Sequence, residues 1–420
     1  MSNISILYER EDIIMNSYDF LFDLALILLT TKVLGIANKR FQLPQVVGAL
    51  MAGVLFGPTV FNLLHETDFI TQLSEIGVIV LMFCAGLETD INELKKSRHS
   101  SFIIALIGVL VPLIGGFLVS FFFNNDPSIS DASSSIILQN IFIGVILTAT
   151  SVSITVETLK EMGKLSTNVG SAILGAAIID DILGIIALTI VTSFADSNVN
   201  VWVVLFKIFA FFIFAAICCF IFYKFFSNVQ LRHGKGMRRF VILSFVYCLI
   251  LSYCAEVFFG VADITGAFIA GLIISKTTYS KYIASRFETL SYMFLSPVFF
   301  ASIGIKFKLP AMTLSMIIFS IVLVIVAILT KIIGCGFAAK LCKFTSLESI
   351  QIGTGMVSRG EVALIVANKG AALGLMSSVF FGPMIIMIIV TTVITPLLLK
   401  IVFSDKFNKP QIPKNAITIK

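Results

Sequence analysis

Apolar residues in this chain occur in long runs that are separated by short polar stretches. About thirteen of these runs are long enough to cross a bilayer as helices, because a helical span needs roughly 17 to 25 mostly apolar residues. The predicted spans are 19–37, 45–63, 70–89, 101–123, 137–157, 166–193, 201–223, 240–256, 261–277, 287–305, 311–339, 349–368 and 377–399. The pattern therefore predicts an all-α polytopic membrane protein.

The composition agrees with a protein of the lipid bilayer. Hydrophobic residues make up 58% of the 420 residues and charged residues only 13%, which is too few to cover the surfaces of soluble domains. The seven cysteines lie in or beside apolar runs and the three histidines lie in loops, so no pattern typical of a metal cluster or a disulfide framework occurs. Glycine-rich phosphate loops and catalytic Ser-His arrangements are missing as well. We therefore expect no cofactor, no enzymatic activity and no nucleic-acid partner.

The basic residues predict an orientation. Of the 30 lysines and arginines, 22 fall in alternate loops and the C-terminal segment, and four fall on the other side. Because cytoplasmic loops are enriched in Lys and Arg, we expect the N-terminus outside and the C-terminus in the cytoplasm. Residues 1–18 are expected to form a polar leader, with Met15 as an alternative start. Residues 19–400 are expected to form the transmembrane domain, and 401–420 a short cytoplasmic tail.

Small residues in two spans reveal an internal repeat. The segment VGALMAGVLFG recurs 218 residues later as TGAFIAGLIIS, and the same offset carries Gly86 onto Gly304. The copies begin seven spans apart, and because seven is odd they must have opposite orientations in the membrane. Inverted repeats, expected here over about 45–193 and 261–399, are typical of secondary transporters. The alternative is that small-residue packing motifs recur by chance.

Two adjacent carboxylates, Asp180 and Asp181, lie in the middle of the sixth predicted span. One central Asp costs about 2.5 to 3.5 kcal/mol on insertion scales, so a pair indicates a functional site. Adjacent helix positions point about 100° apart, which allows one carboxylate to face a partner and the other a water-filled cavity. Carboxylate oxygens suit hard cations such as Na⁺, and protons compete for the same oxygens. A pair satisfied only by packing or by a buried cationic side chain is the alternative.

Two further segments indicate interrupted helices. In LTATSVSITVETL, Thr150 and Ser151 offer hydroxyl oxygens in mid-span, and such residues permit local unwinding. In SRGEVALI, Arg359 and Glu361 flank a glycine inside a span, at the corresponding place of the second repeat. Two broken helices that cross would bring opposed dipole ends beside the carboxylates. Ordinary interhelical hydrogen bonds and a structural Arg–Glu ion pair are the respective alternatives.

A lone basic residue, Lys331, lies in the long apolar run VIVAILTKIIGCG. A buried lysine needs a carboxylate partner or loses its charge, and Asp180 or Asp181 can serve as that partner. Snorkelling of the lysine side chain to a membrane boundary is the alternative.

The segments TATSVSIT, IIDD, TK-x-x-G and SRGEVALI together resemble the monovalent cation:proton antiporter-2 family. Within it they are most similar to the bacterial sodium/proton antiporters, including those of spore germination. The motifs run in the family's order, and the resemblance covers about residues 20–400. It implies the sodium/proton antiporter fold, in which a core bundle moves against a scaffold bundle that lines a homodimer interface. It also implies a place in the bacterial cell membrane.

The resemblance implies roles for individual residues. Asp181 would be the main cation and proton site, and Asp180 would pair with Lys331. The residues on the two crossing helices would be Thr150 and Ser151 on the first and Arg359 and Glu361 on the second. Related electroneutral antiporters usually carry Asn at the first Asp position, so two aspartates suggest electrogenic exchange. Only about twenty residues follow the last predicted span, so we expect no nucleotide-binding regulatory domain of the kind that the potassium-efflux branch often carries.

The resulting hypothesis is a secondary antiporter that exchanges Na⁺, or else K⁺ or Li⁺, for protons by alternating access. A K⁺/H⁺ antiporter or a K⁺ efflux transporter stays open, because both ions accept the same oxygen ligands. An intramembrane aspartyl protease would need its two carboxylates on different helices. A cation channel would need a continuous pore, against which inverted repeats with broken helices argue.

Overall fold

The computed structural model describes residues 2–40, 44–124, 132–195, 200–232, 237–307 and 312–404, and their regular secondary structure is entirely helical. The α-helices are α1 (Ser2–Arg40), α2 (Gln45–Phe56), α3 (Asp68–Glu88), α4 (Ile91–Phe123), α5 (Ile136–Thr148), α6 (Val152–Glu161), α7 (Asn168–Ser193), α8 (Val201–Arg232), α9 (Met237–Cys254), α10 (Asp263–Ile274), α11 (Ser280–Leu290), α12 (Ser296–Ile305), α13 (Leu314–Leu341), α14 (Ser346–Gly355), α15 (Glu361–Ala372) and α16 (Phe381–Val402). The all-α prediction is confirmed.

The described helices reproduce the predicted number of spans. Ten helical segments are long and apolar enough to cross a membrane, and α2 and α10 are shorter apolar helices. The interrupted pair α14 and α15 supplies the thirteenth segment. Helix α1 already begins at Ser2, so it includes nearly all of the stretch that the sequence predicts as a polar leader. Most of the predicted tail, 405–420, lies outside the described residues.

Capping side chains explain where the helices of the site begin. Thr167 precedes α7, and its hydroxyl accepts a hydrogen bond from the Gly170 N–H at 3.1 Å. Thr345 and Glu348 form a reciprocal capping box at the start of α14, with N···O distances of 2.8 and 3.2 Å. These bonds satisfy N–H groups that a helix start leaves without intrahelical partners. They fix the register of helices that carry candidate site residues.

The helices form two bundles. The core bundle contains α4 to α7 and α13 to α16, which pack mainly on one another around α4 and α13. The scaffold bundle contains α1 to α3 and α9 to α12, with α2 packed on α12 and α3 packed on α10. Packing between the bundles runs chiefly from α6 to α2 and α3 and from α16 to α2. Helices α2 and α10, which carry the two copies of the small-residue segment, both lie in the scaffold bundle.

Repeat-related glycines make the closest contacts inside the scaffold. A Cβ placed on Gly53 of α2 would lie 2.9 Å from the Cα of Gly304 of α12, and one placed on Gly271 of α10 would lie 3.0 Å from the Cα of Gly86 of α3. The 218-residue offset relates Gly53 to Gly271 and Gly86 to Gly304. The two contacts are therefore copies of each other, and each joins one half of the chain to the other half.

Candidate functional site

The first interrupted helix unwinds at the predicted hydroxyl-rich segment. Helix α5 ends at Thr148, and α6 begins at Val152. Between them, Ala149 and Ser151 have extended backbone conformations, with ψ of 132° and 101°. Thr150 and Ser151 are both buried in the core bundle. The prediction that this segment unwinds locally agrees with the geometry.

The second interrupted helix unwinds at SRGE. Helix α14 ends at Gly355 and α15 begins at Glu361. Gly360 precedes α15 in an extended conformation, with φ of −143° and ψ of −141°. Ser358 and Arg359 lie in this break and are 0% exposed. Both breaks therefore lie inside protein, as unwound backbone within a membrane requires.

The two breaks are hydrogen-bonded to each other. The Ser151 N–H donates to the Ser358 carbonyl at 2.8 Å, and the Ser358 hydroxyl donates back to the Ser151 carbonyl at 2.7 Å. The Thr155 hydroxyl of α6 donates to the Gly355 carbonyl at the end of α14, also at 2.7 Å. These bonds satisfy backbone groups that the missing helical turns leave unpaired.

Arg359 donates hydrogen bonds to carbonyl groups at the end of α5 and within the second break. Its Nε and Nη2 donate to the Leu147 carbonyl at 3.2 and 2.7 Å, and its Nη1 donates to the Val357 carbonyl at 2.9 Å. The Thr392 hydroxyl of α16 donates to the Arg359 carbonyl. A buried positive charge at the C-terminal end of α5 offsets the negative end of that helix dipole.

Arg359 and Glu361 do not pair with each other, although the sequence left a structural ion pair open. Among the described residues, no Arg359–Glu361 contact reaches ion-pair distance, because the guanidinium is directed at Leu147 and Val357. Glu361 instead occupies the first turn of α15. An acidic side chain there faces the positive end of the helix dipole.

Asp180 and Lys331 form a buried ion pair between α7 and α13. The Lys331 Nζ lies 3.0 Å from the Asp180 Oδ1, and the two side chains are 0% and 1% exposed. Gly108 of α4 covers the pair, since a Cβ placed there would lie 3.9 Å from both charged atoms. Of the two partners that the sequence offered for Lys331, the geometry selects Asp180. Snorkelling to a boundary does not occur.

Asp181, the next residue of α7, takes no part in this ion pair. It is only partly buried, and within the described part of the chain it has neither an ion pair nor a hydrogen bond. The Thr150 hydroxyl is buried and lies beside the Asp180 carboxyl group. A carboxylate outside the ion pair and a buried hydroxyl in an unwound segment are oxygen donors that suit a small hard cation.

Sequence reasoning missed two contributors to this site. Ser358 exchanges two hydrogen bonds with Ser151, and its only sequence signal is a hydroxyl within the second break. The Leu147 carbonyl accepts from Arg359, and backbone carbonyls leave no trace in a side-chain pattern. Glu157 of α6 lines a cavity of about 260 Å³ between α1, α2, α6 and α12.

Comparisons with known proteins agree with this geometry. A family model described as sodium/hydrogen exchanger, transmembrane, matches residues 25–404. The chain is 39% identical over 403 residues to the Na⁺/H⁺-K⁺ antiporter GerN of Bacillus cereus, covering 93% of this chain and 97% of that protein. It is 36% identical over 392 residues to an Na⁺/H⁺ antiporter of Enterococcus hirae, covering 91% and 97%.

A solved structure is similar in fold. The sodium proton antiporter MjNhaP1 from Methanocaldococcus jannaschii at pH 8 superposes with a TM-score of 0.65 at 18% sequence identity. The match covers 92% of this chain and 96% of that chain. It supports the two-bundle helical architecture described above.

Proposed function

Because this chain belongs to the sodium/hydrogen exchanger family, we propose that it exchanges a monovalent cation for protons at Asp180 and Asp181. The observation that carries the proposal is the buried Asp180–Lys331 pair beside a second carboxylate that has no partner among the described residues. Relatives named as Na⁺/H⁺ antiporters favour Na⁺ as the cation, and K⁺/H⁺ exchange is the second candidate.

Asp181 is the proposed exchange ligand. Asp181 is only partly buried and lies outside the Asp180–Lys331 pair, so a cation or a proton can bind it without breaking that pair first. The Thr150 hydroxyl and the backbone of the first break supply further oxygens nearby. One carboxylate cannot hold a proton and ligate a cation with full charge at the same time. Competition between the proton and the cation for the Asp181 carboxylate couples the transport of one to the transport of the other.

Lys331 is proposed to carry a second proton. When a cation binds the aspartates, it weakens the attraction between Asp180 and the ammonium group. A buried lysine that loses its counter-charge releases its proton more readily. Exchange of two protons for one monovalent cation moves net charge, so the proposed exchange is electrogenic.

Alternating access is assigned to movement of the core bundle against the scaffold. The two breaks are bonded to each other and to Arg359, so the candidate site belongs wholly to the core. The proposal places the C-terminus in the cytoplasm and includes a homodimer in the bacterial cell membrane. Mass measurement of the purified protein in lipid nanodiscs tests the dimer.

Proton flux in proteoliposomes tests the proposed function. A pH-sensitive dye trapped inside the vesicles reports proton movement when Na⁺, Li⁺ or K⁺ is added outside. We expect Na⁺ to drive protons across the membrane, with Glu93→Gln, a substitution at a partly exposed position of α4, behaving as the wild type. An intramembrane protease would give no signal, and a channel would pass cations without obligatory proton movement. Either result would overturn the proposal.

A further inference from the structure

Two contacts join the core to the scaffold at the ends of α6, α2 and α3. The Lys160 Nζ of α6 lies 2.9 Å from the Glu88 Oε1 of α3. The next residue of α6, Glu161, accepts a hydrogen bond through Oε2 from the Gln45 N–H of α2 at 2.6 Å. Of the three ion pairs among the described residues, Lys160–Glu88 alone connects the bundles, because the others lie within α4 or within the core.

The α2 contact replaces a cap that this helix lacks. Pro44 precedes α2 and its side chain makes no capping hydrogen bond. Unpaired N–H groups at a helix start attract anions, because the helix dipole is positive there. The Glu161 carboxylate, which belongs to the core bundle, accepts a hydrogen bond from the first N–H group of the scaffold helix α2. The bond is therefore charge-assisted, and it exists only while the two bundles stay together at this end.

Both contacts lie on the side that the basic residues assign to the cytoplasm. Glu161 and Gln45 also line the cavity of about 260 Å³. The cavity wall on α2 includes Ala49, which is buried. Separation of α6 from α2 and α3 would widen this cavity toward the cytoplasm.

We infer that Lys160–Glu88 and Glu161–Gln45 form a cytoplasmic latch that holds the core against the scaffold and must open in every transport cycle. The inference rests on the core movement proposed above. Loss of the latch shifts the protein toward the state that is open to the cytoplasm. The Lys160 and Glu88 side chains are 16% and 33% exposed, so the pair is partly solvated. We expect its removal to change the ratio of open to closed states about two- to fivefold.

Maleimide labelling of an Ala49→Cys variant in inside-out vesicles measures that ratio, with mass spectrometry of the peptide that contains residue 49. We expect Lys160→Gln and Glu88→Gln each to raise the labelling rate about two- to fivefold. The double variant should add little to either, and the exchanged pair Lys160→Glu with Glu88→Lys should restore slow labelling. The matched control removes the Glu93–Lys96 pair, which lies within α4 and joins no bundles.

Unchanged labelling in both single variants, or an equal rise in the control, would overturn the latch. A cross-link between α2 and α6 provides a second test, which does not require the single variants to fold. Cysteines at Gln45 and Glu161, bridged by a short reducible reagent, should stop exchange until the reagent is cleaved. Continued exchange by the bridged protein would also overturn the latch. A wild type without any exchange would instead refute the proposed function.

Discussion

The Lys331 ammonium lies 3.0 Å from the Asp180 carboxylate, and neither side chain reaches solvent. Its neighbour Asp181 remains without a partner in the described part of the chain and is partly exposed. The two aspartates are adjacent in sequence, yet one is held by a counter-charge and the other is available to a ligand. The two carboxylates therefore differ in their surroundings, since one lies in a buried ion pair and the other does not.

Asp181→Asn is expected to abolish cation-driven proton movement while leaving the protein folded. The amide keeps the shape of the side chain but cannot bind and release a proton in the neutral range. Dye-reported flux in proteoliposomes measures the loss, and a thermal melt in detergent should differ from the wild type by no more than a few degrees. Transport at the wild-type rate would show that another group is the exchange ligand.

Lys331→Gln is expected to lower the free energy of unfolding by about 3–5 kcal/mol, because it leaves the buried Asp180 carboxylate without its counter-charge. A double variant with Asp180→Asn should recover part of this loss, since both charges are then removed. Chemical denaturation measures the free energy of unfolding of the wild type and of each variant. Lys96→Gln, which removes the Glu93–Lys96 pair of α4, is the control.

The same Lys331→Gln variant tests the second proton. If the lysine releases a proton in each cycle, the charge moved per cation should fall, and solid-supported membrane currents measure that charge. An unchanged charge per cation would restrict the proton sites to Asp180 and Asp181.

The apparent KM for Na⁺ is expected to rise as pH falls. A protonated carboxyl group has no charge for a cation to neutralise, so protons lower the fraction of sites that can bind Na⁺. If one proton competes, the KM rises by up to about tenfold per pH unit below the pKa of the site. Flux titrations with Na⁺ at several pH values check this, and a KM independent of pH contradicts direct competition.

Arg359→Met is expected to cost about 1–3 kcal/mol or more, because the Leu147 and Val357 carbonyls lose their buried donors. Arg359→Lys should recover only part of the loss, since an ammonium group cannot reproduce the planar fork of donors. Thermal melts of both variants in detergent measure the difference. Equal stability of Met and Lys variants would mean that the charge has no role in holding the breaks.

Gly53→Ala and its repeat partner Gly271→Ala are both expected to destabilise the scaffold, because a Cβ at either position meets the backbone of the opposing helix. Gly35→Ala is the control, since a Cβ placed there has no neighbour within 4 Å. That control should be neutral or stabilising by up to about 1 kcal/mol through helix propensity. A melt series on the three variants compares them.

The site residues that could be predicted from the sequence are polar and charged side chains within membrane spans. Buried charges and hydroxyls at Asp180, Asp181, Lys331 and Thr150 are costly in lipid, so their presence alone marked the site and both breaks. The residues alone left two candidate partners for Lys331, because adjacent aspartates point about 100° apart and the sequence does not determine how a helix is rotated. Only the family resemblance implied Asp180.

Contacts to backbone groups could not be predicted in the same way. The partners of Arg359 are carbonyls of Leu147 and Val357, and every residue carries such a group. The same holds for Glu161, whose partner is the Gln45 N–H. Only the three-dimensional arrangement distinguishes one backbone group from the rest.

The glycine pairs of the scaffold also constrain how the chain is made. Gly53 contacts a residue that follows it by 251 positions, and Gly86 contacts one that follows it by 185. At translation rates of roughly 5–20 residues per second, the early helices wait about 10 to 50 seconds for these partners. Until then, α2 and α3 lie in the bilayer with flat, glycine-lined faces uncovered. Biogenesis of this protein therefore passes through an intermediate in which the helices of the first half are inserted in the bilayer but not yet packed against their partners from the second half.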